Sequence, residues 1–435
     1  MLQFVWDAIK QQRWLAAALA LLFVGLHVHF TLKVLRSENS RSAFLRWQSQ
    51  LAELDDGVNV WDKYAYPNPP IMAIILKPFH LLPPALGASL WFACKSLFAL
   101  ASILGVLALL DDREKPLPLW GKAIAVALAM RPIAGDLMHG NVNLLILGLI
   151  VLALIACAHR RDGWAGFLLG LGVACKITPA LFLLYFLWKR AWLALAGMTA
   201  GVIVSGLLIP AAAFGWSENI EYLQSWHRQM VAPYAAGIVS SEHKNQSLPG
   251  LLNRMLCDQP SFSGYEGDEK IVLEQHNVVA WDPWIVQGIV IACMIAFAVL
   301  AVGHVSNVPN PARDGAFQSC PTERLRLIAE FGVVVLGMLL FCERTWKHHC
   351  VTLLIPFAAL SYACASSSFT HGQRWFFGIA LALSGILMVS TSTGVFDSHV
   401  EASERVGKLA QVYGAYVWAF LILLAASFLL LRWRR

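Results

Sequence analysis

The chain has 435 residues, of which 58% are hydrophobic and only 14% are charged. Soluble domains rarely exceed about half apolar residues, so this composition excludes an ordinary soluble domain and indicates a polytopic membrane protein. The formal charge of +6 does not indicate nucleic-acid binding, because the basic residues lie in short loops between apolar runs and form no basic face.

The apolar runs predict about twelve transmembrane helices, each of which needs about 20 residues for a straight crossing. The first run is too long for a signal-peptide core and lacks a clear cleavage site, so we expect an uncleaved span. The fifth and sixth runs are short and predict broken or tilted helices. In chain order the runs cover residues 14–35, 84–110, 117–131, 142–158, 163–175, 177–188, 192–213, 282–304, 327–342, 350–365, 375–391 and 410–431.

Lysine and arginine in short loops orient the chain, since cytoplasmic loops carry an excess of both. With Lys10 and Arg13 inside, short basic segments such as DDREKP, HRRDG and WKR fall on the inner side. Two long segments, residues 36–83 and 216–283, fall on the outer side. We therefore expect one all-α membrane domain over residues 1–435, with short interfacial helices in the first outer loop and a second, larger outer loop.

Residues 64–84 read YAYPNPPIMAIILKPFHLLPP, an apolar stretch bracketed by prolines. Residues 70–82 are too few to cross a bilayer, and irregular backbone is tolerated at membrane depth only against protein or a water-filled cavity. The pattern predicts a short helix at the outer interface. Its apolar residues are expected to wall a groove that leads from the bilayer, namely Ile71, Ile74, Ile75 and Leu76.

The segment MRPIAGDLMHGNVNLLILGL places a dense polar cluster at the start of a helix. The cluster contains Arg131, Asp136, His139, Asn141 and Asn143. Capping of the helix by one of the asparagines is one interpretation. The other is a wet pocket between two spans, because ionisable groups at membrane depth usually face a cavity.

Two further segments bring cations to the predicted outer rim. Lys176, in GVACKITPALFLLYF, either reaches the headgroups or binds a phosphate, for which lysine is a compact point charge. The segment ERTWKHHC carries Trp346, Lys347, His348 and His349 at the mouth of a span. Interfacial anchoring explains a tryptophan beside a cation, whereas a histidine pair adds phosphate binding and proton transfer near neutral pH.

Several common motifs are absent from the sequence. It contains no Walker motif, no GxGxxG after a strand, no GxSxG, no HExxH and no CxxC. A nucleotide-dependent enzyme, a zinc enzyme and a disulfide framework are therefore unsupported, and we expect neither a metal nor a cofactor.

Five blocks together resemble glycosyltransferase family 87, the membrane transferases of GT-C type that include polyprenyl-phosphate-mannose-dependent mannosyltransferases. The stretch YAYPNPPIMAIILKPFHLLPP is similar to the tyrosine–proline block of that family. The others, in chain order, are HGNVNLLILGLIVLAL, the glycine-rich GFLLGLGVACKITPALFLLYFLWKRAW, NQSLPGLL and WKHHCVTLLIPFAAL. Each block is a weak signal alone, but their order from about residue 36 to residue 360 is fairly specific.

The resemblance implies a GT-C fold and an enzyme that takes a sugar, mannose by analogy, from a polyprenyl phosphate at the outer face. It also implies a catalytic carboxylate in the first outer loop. The usual aspartate is not obvious in LRSENSRSAFLRW. Glu38 is the nearest acid ahead of Phe44, and Asp62 just before the tyrosine–proline block is the second candidate.

Sugar transfer from a lipid phosphate also needs preorganised cations for the departing phosphate. The residues expected to bind the donor phosphate are Lys176, Arg131, Lys347, His348 and His349. The expected substrate pocket comprises Tyr66, Asn68, His139, Asn141, Asn143, Asn245, Gln246 and Trp346. The expected partners are the lipid-linked sugar as co-substrate, a glycolipid or glycan acceptor and membrane lipids. The expected location is the bacterial inner membrane, with the active site on its periplasmic face.

Two other functions are compatible with the sequence. A transporter or flippase of lipid-linked sugars needs polar groups along a path through the membrane, and Lys95 in WFACKSLF lies inside an apolar run. Such transporters often contain inverted repeats, and we find no repeat. The departure from the usual aspartate leaves an inactive scaffold of the same fold as the other alternative.

Overall fold

The computed structural model describes residues 2–36, 42–111, 116–266, 269–305, 321–392 and 401–433. These residues are mainly helical. The α-helices are α1 (Leu2–Gln11), α2 (Arg13–Leu35), α3 (Ala43–Asp55), α4 (Val60–Tyr64), α5 (Pro70–His80), α6 (Pro84–Leu110), α7 (Leu119–His139), α8 (Asn143–Ala158), α9 (Asp162–Cys175), α10 (Leu181–Trp188), α11 (Trp192–Val202), α12 (Ile209–Phe214), α13 (Trp216–Trp226), α14 (Ala232–Ala235), α15 (Leu248–Leu256), α16 (Pro283–Val305), α17 (Pro321–Leu340), α18 (Leu354–Ala365), α19 (His371–Ser390), α20 (Glu401–Val412) and α21 (Ala415–Trp433). Tighter 3₁₀ turns lie at Thr178–Ala180 and Lys347–Leu353, and wider π turns at Ile203–Leu208 and His227–Val231.

Seven helices within the described ranges are long and apolar enough to cross a bilayer, which confirms the prediction of a polytopic helical membrane protein. They are Arg13–Leu35, Pro84–Leu110, Trp192–Phe214, Pro283–Val305, Lys347–Ala365, His371–Ser390 and Ala415–Trp433. Four shorter apolar helices accompany them, at Pro70–His80, Asn143–Ala158, Asp162–Cys175 and Thr178–Trp188. The total of about twelve crossings stays a prediction.

The described chain divides into two compact units. Unit 1 takes in the described parts of residues 1–116, 129–232 and 309–327, and unit 2 takes in those of residues 117–128, 233–308 and 328–435. Unit 1 contains most of the first predicted outer loop, where α3, α4 and α5 are the expected short helices. The prediction of a single domain over residues 1–435 stays a prediction, as do the boundaries of the two outer loops.

Helices α9 and α11 of unit 1 pack with their backbones in contact. A Cβ atom added at Gly166 would overlap the carbonyl oxygen of Ala194, and one at Gly170 would overlap that of Met198. On the opposite helix, added Cβ atoms at Gly197 and Gly201 would likewise overlap backbone atoms of α9. Glycines four residues apart on both helices permit this approach, which is a common packing mode in membranes. Two of the three glycines in GFLLGLG, Gly166 and Gly170, are therefore explained by the close approach of α11.

Two elements differ from the prediction. Helix α7 continues eight residues beyond the predicted end at residue 131, so that Asp136 lies on a helix rather than after its end. The second difference is an antiparallel hairpin, β1 (Phe262–Glu266) and β2 (Glu269–Glu274), inside the second predicted outer loop. The isoleucine and valine in EKIVLE favour a strand, although the segment lies outside the apolar runs.

Candidate functional site

A buried ion pair lies between α6 and α7 in unit 1. Lys95 and Asp136 are both inaccessible to solvent, and the Lys95 ammonium lies 3.5 Å from the Asp136 carboxylate. The same ammonium donates to the carbonyl oxygens of Asp136 at 2.5 Å and Leu137 at 3.3 Å. These carbonyls belong to the last turn of α7, where a cation is favoured by the helix dipole. Lys95 is therefore stabilised by both a carboxylate and a helix end.

Asn143, the first residue of α8, connects this ion pair to Lys176. Its amide nitrogen donates to Asp136 Oδ1 at 2.8 Å, and its amide oxygen accepts from the Lys176 ammonium at 2.6 Å. Asn143 is buried, whereas Lys176, directly after α9, is only partly buried. Three of the predicted polar positions thus meet in one chain of contacts, although the role of Lys95 in it was not predicted.

Gly140 fixes the turn between α7 and α8. It adopts a left-handed conformation with φ of 73°, which glycine tolerates best. A Cβ atom there would lie 3.0 Å from both Ser42 Oγ and Phe44 Cβ at the start of α3. The Trp91 indole donates to the Gly140 carbonyl at 3.0 Å. The glycine of HGN is therefore explained by close packing, and the turn lies against the beginning of α3.

Glu38, the first candidate base, lies outside the described residues.

An apolar cavity of about 250 Å³ lies in unit 1 near Lys176. Ala174, two residues before Lys176, and Ile177, directly after it, both line it. The predicted groove residue Ile71 also lines it, whereas Leu76 is buried and Ile74 and Ile75 are partly exposed. The remaining wall consists of Pro69, Pro70, Val173, Val202, Gly206, Leu207, Leu223 and Trp226.

Asp62, the second candidate base, lies in a polar cluster beside a more open depression. Its carboxylate accepts from the Ser225 hydroxyl at 3.1 Å and from the Arg228 guanidinium at 3.3 Å. The Asp62 side chain is 46% exposed, so a solvent-borne group can reach it. Arg228 also lines the depression of about 450 Å³, together with Ile220, Leu223, Gln224 and His227.

Tyr66 and Asn68 lie deep inside unit 1. Tyr66 is inaccessible to solvent, and its ring packs edge-on against Trp47 and Trp61. Burial raises the pKa of the Tyr66 phenol, so the hydroxyl stays protonated. Within the described part of the chain, the Tyr66 hydroxyl, the Asn68 amide nitrogen and the Trp47 indole nitrogen have no hydrogen-bond partner. Such groups generally have a partner, so a water or a ligand is expected to complete them.

The predicted pocket residues Asn245 and Gln246 bind backbone groups of unit 2. The Asn245 amide donates to the carbonyls of Ser240 and Glu343 and accepts from the N–H groups of Ser247 and Thr345. The four distances are 2.8, 2.9, 3.1 and 3.0 Å. Asn245 thereby joins the turn before α15 to the segment before the Lys347–Leu353 turn.

Gln246 and Arg254 also hydrogen-bond to backbone groups of unit 2. The Gln246 amide donates to the carbonyls of His243 and Gln411 and accepts from the Tyr416 N–H. The Arg254 guanidinium is buried and donates to five backbone carbonyls. Burial lowers the pKa of Arg254 to about 10, which still leaves the guanidinium charged at neutral pH.

Three rings meet at the Lys347–Leu353 turn of unit 2. The ring centroids of Trp346 and His349 lie 6.1 Å apart in a stacked arrangement, and those of His348 and His349 lie 4.7 Å apart edge to face. The Lys347 ammonium donates to the Thr391 carbonyl at 2.7 Å. All four side chains are partly exposed, so each can also contact a ligand.

The remaining predicted residues lie on or near α7. Arg131 is on that helix, five residues before Asp136, and is partly buried; His139 ends the helix. The Asn141 amide oxygen accepts from the Val142 N–H at 2.7 Å. Arg131 and Lys176 belong to unit 1, whereas Lys347, His348 and His349 belong to unit 2. Their convergence on one donor phosphate stays a prediction.

Among the described residues, no group of three or more histidine, cysteine, aspartate or glutamate side chains is arranged to hold a metal ion. The absence of a metal or cofactor from the reaction stays a prediction, because it depends on chemistry that this arrangement does not test.

Comparison with known proteins adds a family and several relatives. Residues 66–317 match the family model of Glycosyltransferase family 87. A polyprenol-phosphate-mannose-dependent alpha-(1-2)-phosphatidylinositol mannoside mannosyltransferase of Mycolicibacterium smegmatis is 29% identical over 370 residues, which are 80% of this chain and 72% of that protein. A protein of the same description from Mycobacterium tuberculosis is 27% identical over 299 residues, 66% of this chain and 59% of that one.

A more distant relative has a different sugar in its description. An alpha-(1->3)-arabinofuranosyltransferase of Corynebacterium glutamicum is 25% identical over 258 residues, which are 57% of each chain. No solved structure matches the chain.

Proposed function

Because this chain belongs to glycosyltransferase family 87 and is a membrane glycosyltransferase, we propose that it transfers mannose from a polyprenyl phosphate to a cell-envelope acceptor. The transfer takes place on the outer face of the bacterial cell membrane. The descriptions of the two mycobacterial relatives support the donor, and they support a phosphatidylinositol mannoside as the first acceptor to test.

The observation that carries this proposal is the combination of a held cation and an apolar cavity in unit 1. A polyprenyl phosphate has a hydrocarbon chain and an anionic head, and it needs a different environment for each. Ala174 and Ile177, both within two residues of Lys176, line the apolar cavity, while Lys176 itself is held by Asn143 and is partly exposed. The cavity suits the chain, and the ammonium suits the phosphate.

The reaction follows from the donor. A hydroxyl oxygen of the acceptor bonds to the anomeric carbon of mannose as the bond from that carbon to the phosphate oxygen breaks. The polyprenyl phosphate departs with the electron pair, and Lys176 stabilises the developing charge, assisted by Arg131 of the same unit. Lys347, His348 and His349 stay predicted phosphate-binding residues. The acceptor hydroxyl loses its proton to a carboxylate, for which Glu38 and Asp62 are the two candidates.

Asp62 offers one physical advantage as the base. Its side chain is exposed beside the open depression, and a hydroxyl-rich acceptor can reach it from water. Its carboxylate is held at 3.3 Å by Arg228, which itself lines that depression. Tyr66, Asn68, His139, Asn141 and Trp346 are proposed to contact substrate, whereas Asn245 and Gln246 act by holding the backbone near Trp346.

The proposal is tested with purified protein in lipid nanodiscs. Radiolabelled polyprenyl-phosphate mannose is supplied with phosphatidylinositol mannosides, and the expected product is a glycolipid larger by one mannose, with one polyprenyl phosphate released per transfer. Absence of transfer from every polyprenyl-phosphate hexose to every envelope acceptor tried would overturn the proposal and favour the inactive scaffold. Donor movement across proteoliposomes without transfer would instead favour a flippase.

A further inference from the structure

Lys95, Asp136, Asn143 and Lys176 form one line of contacts in unit 1, and exposure increases along it. The ion pair at one end is inaccessible to solvent, and Lys176 at the other end is partly exposed. Helices α6, α7 and α8 and the end of α9 each contribute one residue. Deepening the proposed function, on which it rests, we propose that Asp136 and Asn143 are positioning residues that fix the Lys176 ammonium for the donor phosphate.

The argument starts from the hydrogen-bonding capacity of each group. An ionised carboxylate only accepts, so Asp136 requires Asn143 to present its amide nitrogen. The amide oxygen then faces the opposite direction, where it accepts from the Lys176 ammonium at 2.6 Å. Asp136 thus acts through Asn143: it determines which end of the Asn143 amide faces Lys176.

Lys95 keeps this orientation in place. Its ammonium lies 3.5 Å from the Asp136 carboxylate and donates to the Asp136 carbonyl at 2.5 Å, so Asp136 is held through both its side chain and its backbone. An uncharged side chain at position 136 behaves differently, because it can donate as well as accept. An asparagine there would turn its oxygen to the Lys95 cation and its nitrogen to Asn143. The Asn143 amide would then rotate and point its nitrogen at Lys176.

This logic predicts a non-additive result. D136N should displace the Lys176 ammonium, whereas the double variant K95M/D136N should return the ammonium in part to its wild-type position. Without the Lys95 cation, the amide at position 136 is able to turn its oxygen to Asn143, and the Asn143 oxygen can again face Lys176. A purely structural role for the pair would make the double variant no better than D136N.

The experiment measures binding of decaprenyl phosphate and of uncharged decaprenol to the full chain in nanodiscs. Each variant is described by the ratio of the two affinities, together with its melting temperature. The wild type is expected to prefer the phosphate by at least about tenfold, since hydrogen bonds to charged groups are strong. The ratio should fall about tenfold in K176M and N143A and in D136N, and should recover by several-fold in K95M/D136N.

The control variant is N277A, whose amide donates to the Val279 carbonyl in unit 2. It should keep the wild-type ratio. If the wild type does not distinguish phosphate from alcohol, the proposed function is overturned along with the positioning roles. If K176M loses the preference while N143A keeps it, the positioning proposal is overturned and the function stands. N143A also covers the case in which D136N fails to fold.

Discussion

Unit 1 and unit 2 each contain a cluster of buried polar side chains. The cluster in unit 1 includes a partly exposed cation, whereas the cluster in unit 2 hydrogen-bonds to the backbone. In unit 1 the contacts run from the buried Lys95–Asp136 pair through Asn143 to a partly exposed cation, Lys176. In unit 2 the Asn245 amide uses all four of its hydrogen-bonding positions on backbone groups of the protein.

This difference separates two uses of polar residues in a membrane protein. A side chain that binds only backbone holds a fold together, because an unsatisfied backbone group is expensive away from water. A chain of contacts that includes a partly exposed cation can also act on a ligand. Substitutions in the two clusters should therefore change different measured quantities, and the following predictions test that separation.

The largest effect is expected for Lys176→Ala. Loss of the cation should lower the rate of sugar transfer by about 10²–10³-fold, the usual effect of losing one preorganised donor. The melting temperature should stay close to that of the wild type, because Lys176 is partly exposed. Transfer assays in nanodiscs measure the first quantity. Lys33→Ala, at an exposed position near the end of α2, is the control and should transfer normally. Equal activity in both variants would remove Lys176 from the site.

Asn245→Ala should lower stability and largely spare sugar transfer, which is the reverse of the result expected for Lys176→Ala. It leaves two partly buried carbonyls and two buried N–H groups without their partner, and each buried group costs about 1–3 kcal/mol. We expect a much lower melting temperature and less folded protein, with transfer per folded molecule largely retained. Size-exclusion chromatography after heating provides the measurement. A variant that stays stable but loses transfer would show that Asn245 contacts substrate.

Gly166→Ala tests the packing that places Lys176. The added methyl group would overlap the Ala194 carbonyl, so α9 and α11 must separate, at a cost of about 1–3 kcal/mol. Both stability and transfer should fall, since Lys176 follows α9 directly. Gly288→Ala in α16 is the matched control, because an added Cβ atom there meets nothing within 4 Å. Equal melting temperatures for the two variants would contradict the close contact.

Acid should weaken unit 2 through His243. Burial lowers the pKa of His243 to about 4, while the unfolded chain has the ordinary value of 6.5. Between these values the unfolded state binds the proton and the folded state does not, so stability falls as pH drops from about 6.5 towards 4. Thermal unfolding at several pH values should show a shallower decline for His243→Asn. An unchanged decline would assign the acid sensitivity to other groups.

Tyr66→Phe is expected to have the smallest effect on stability. Because the buried hydroxyl has no partner among the described residues, its removal should leave the melting temperature unchanged or slightly higher. The same variant is informative in transfer assays. A clear loss of transfer at unchanged stability would indicate that the hydroxyl binds substrate, as the sequence predicts. A drop in stability would indicate a bound structural water instead.

The sequence predicted the polar positions better than their partners. Lys176 and Asn143 can be identified from the sequence because they are polar residues that interrupt long apolar runs. The contact between Lys95 and Asp136 was not visible, because 41 residues separate them and no periodicity indicates that α6 packs on the end of α7. From the sequence alone, Lys95 favours a transport path. Its buried partner supplies a simpler explanation.

Other features depended on tertiary packing. Asn245 and Gln246 have the composition of a binding motif, and only burial shows that their amides hold backbone groups. Gly140 was expected to belong to a family block, but its reason is the approach of Ser42 and Phe44, almost 100 residues earlier in the chain. The hairpin in the second loop was missed because its strands are short and lie outside the apolar runs.

The backbone contact between α9 and α11 also limits how a lipid can travel. Hydrocarbon cannot enter a seam where even a methyl group would collide with a carbonyl. That flank of α9 is therefore shut to any isoprenoid tail arriving sideways from the leaflet. The apolar cavity is lined instead by Ile71 and by Gly206 and Leu207 of the π turn at Ile203–Leu208. The glycines therefore close one side of α9 to lipid as well as allowing the two helices to pack tightly.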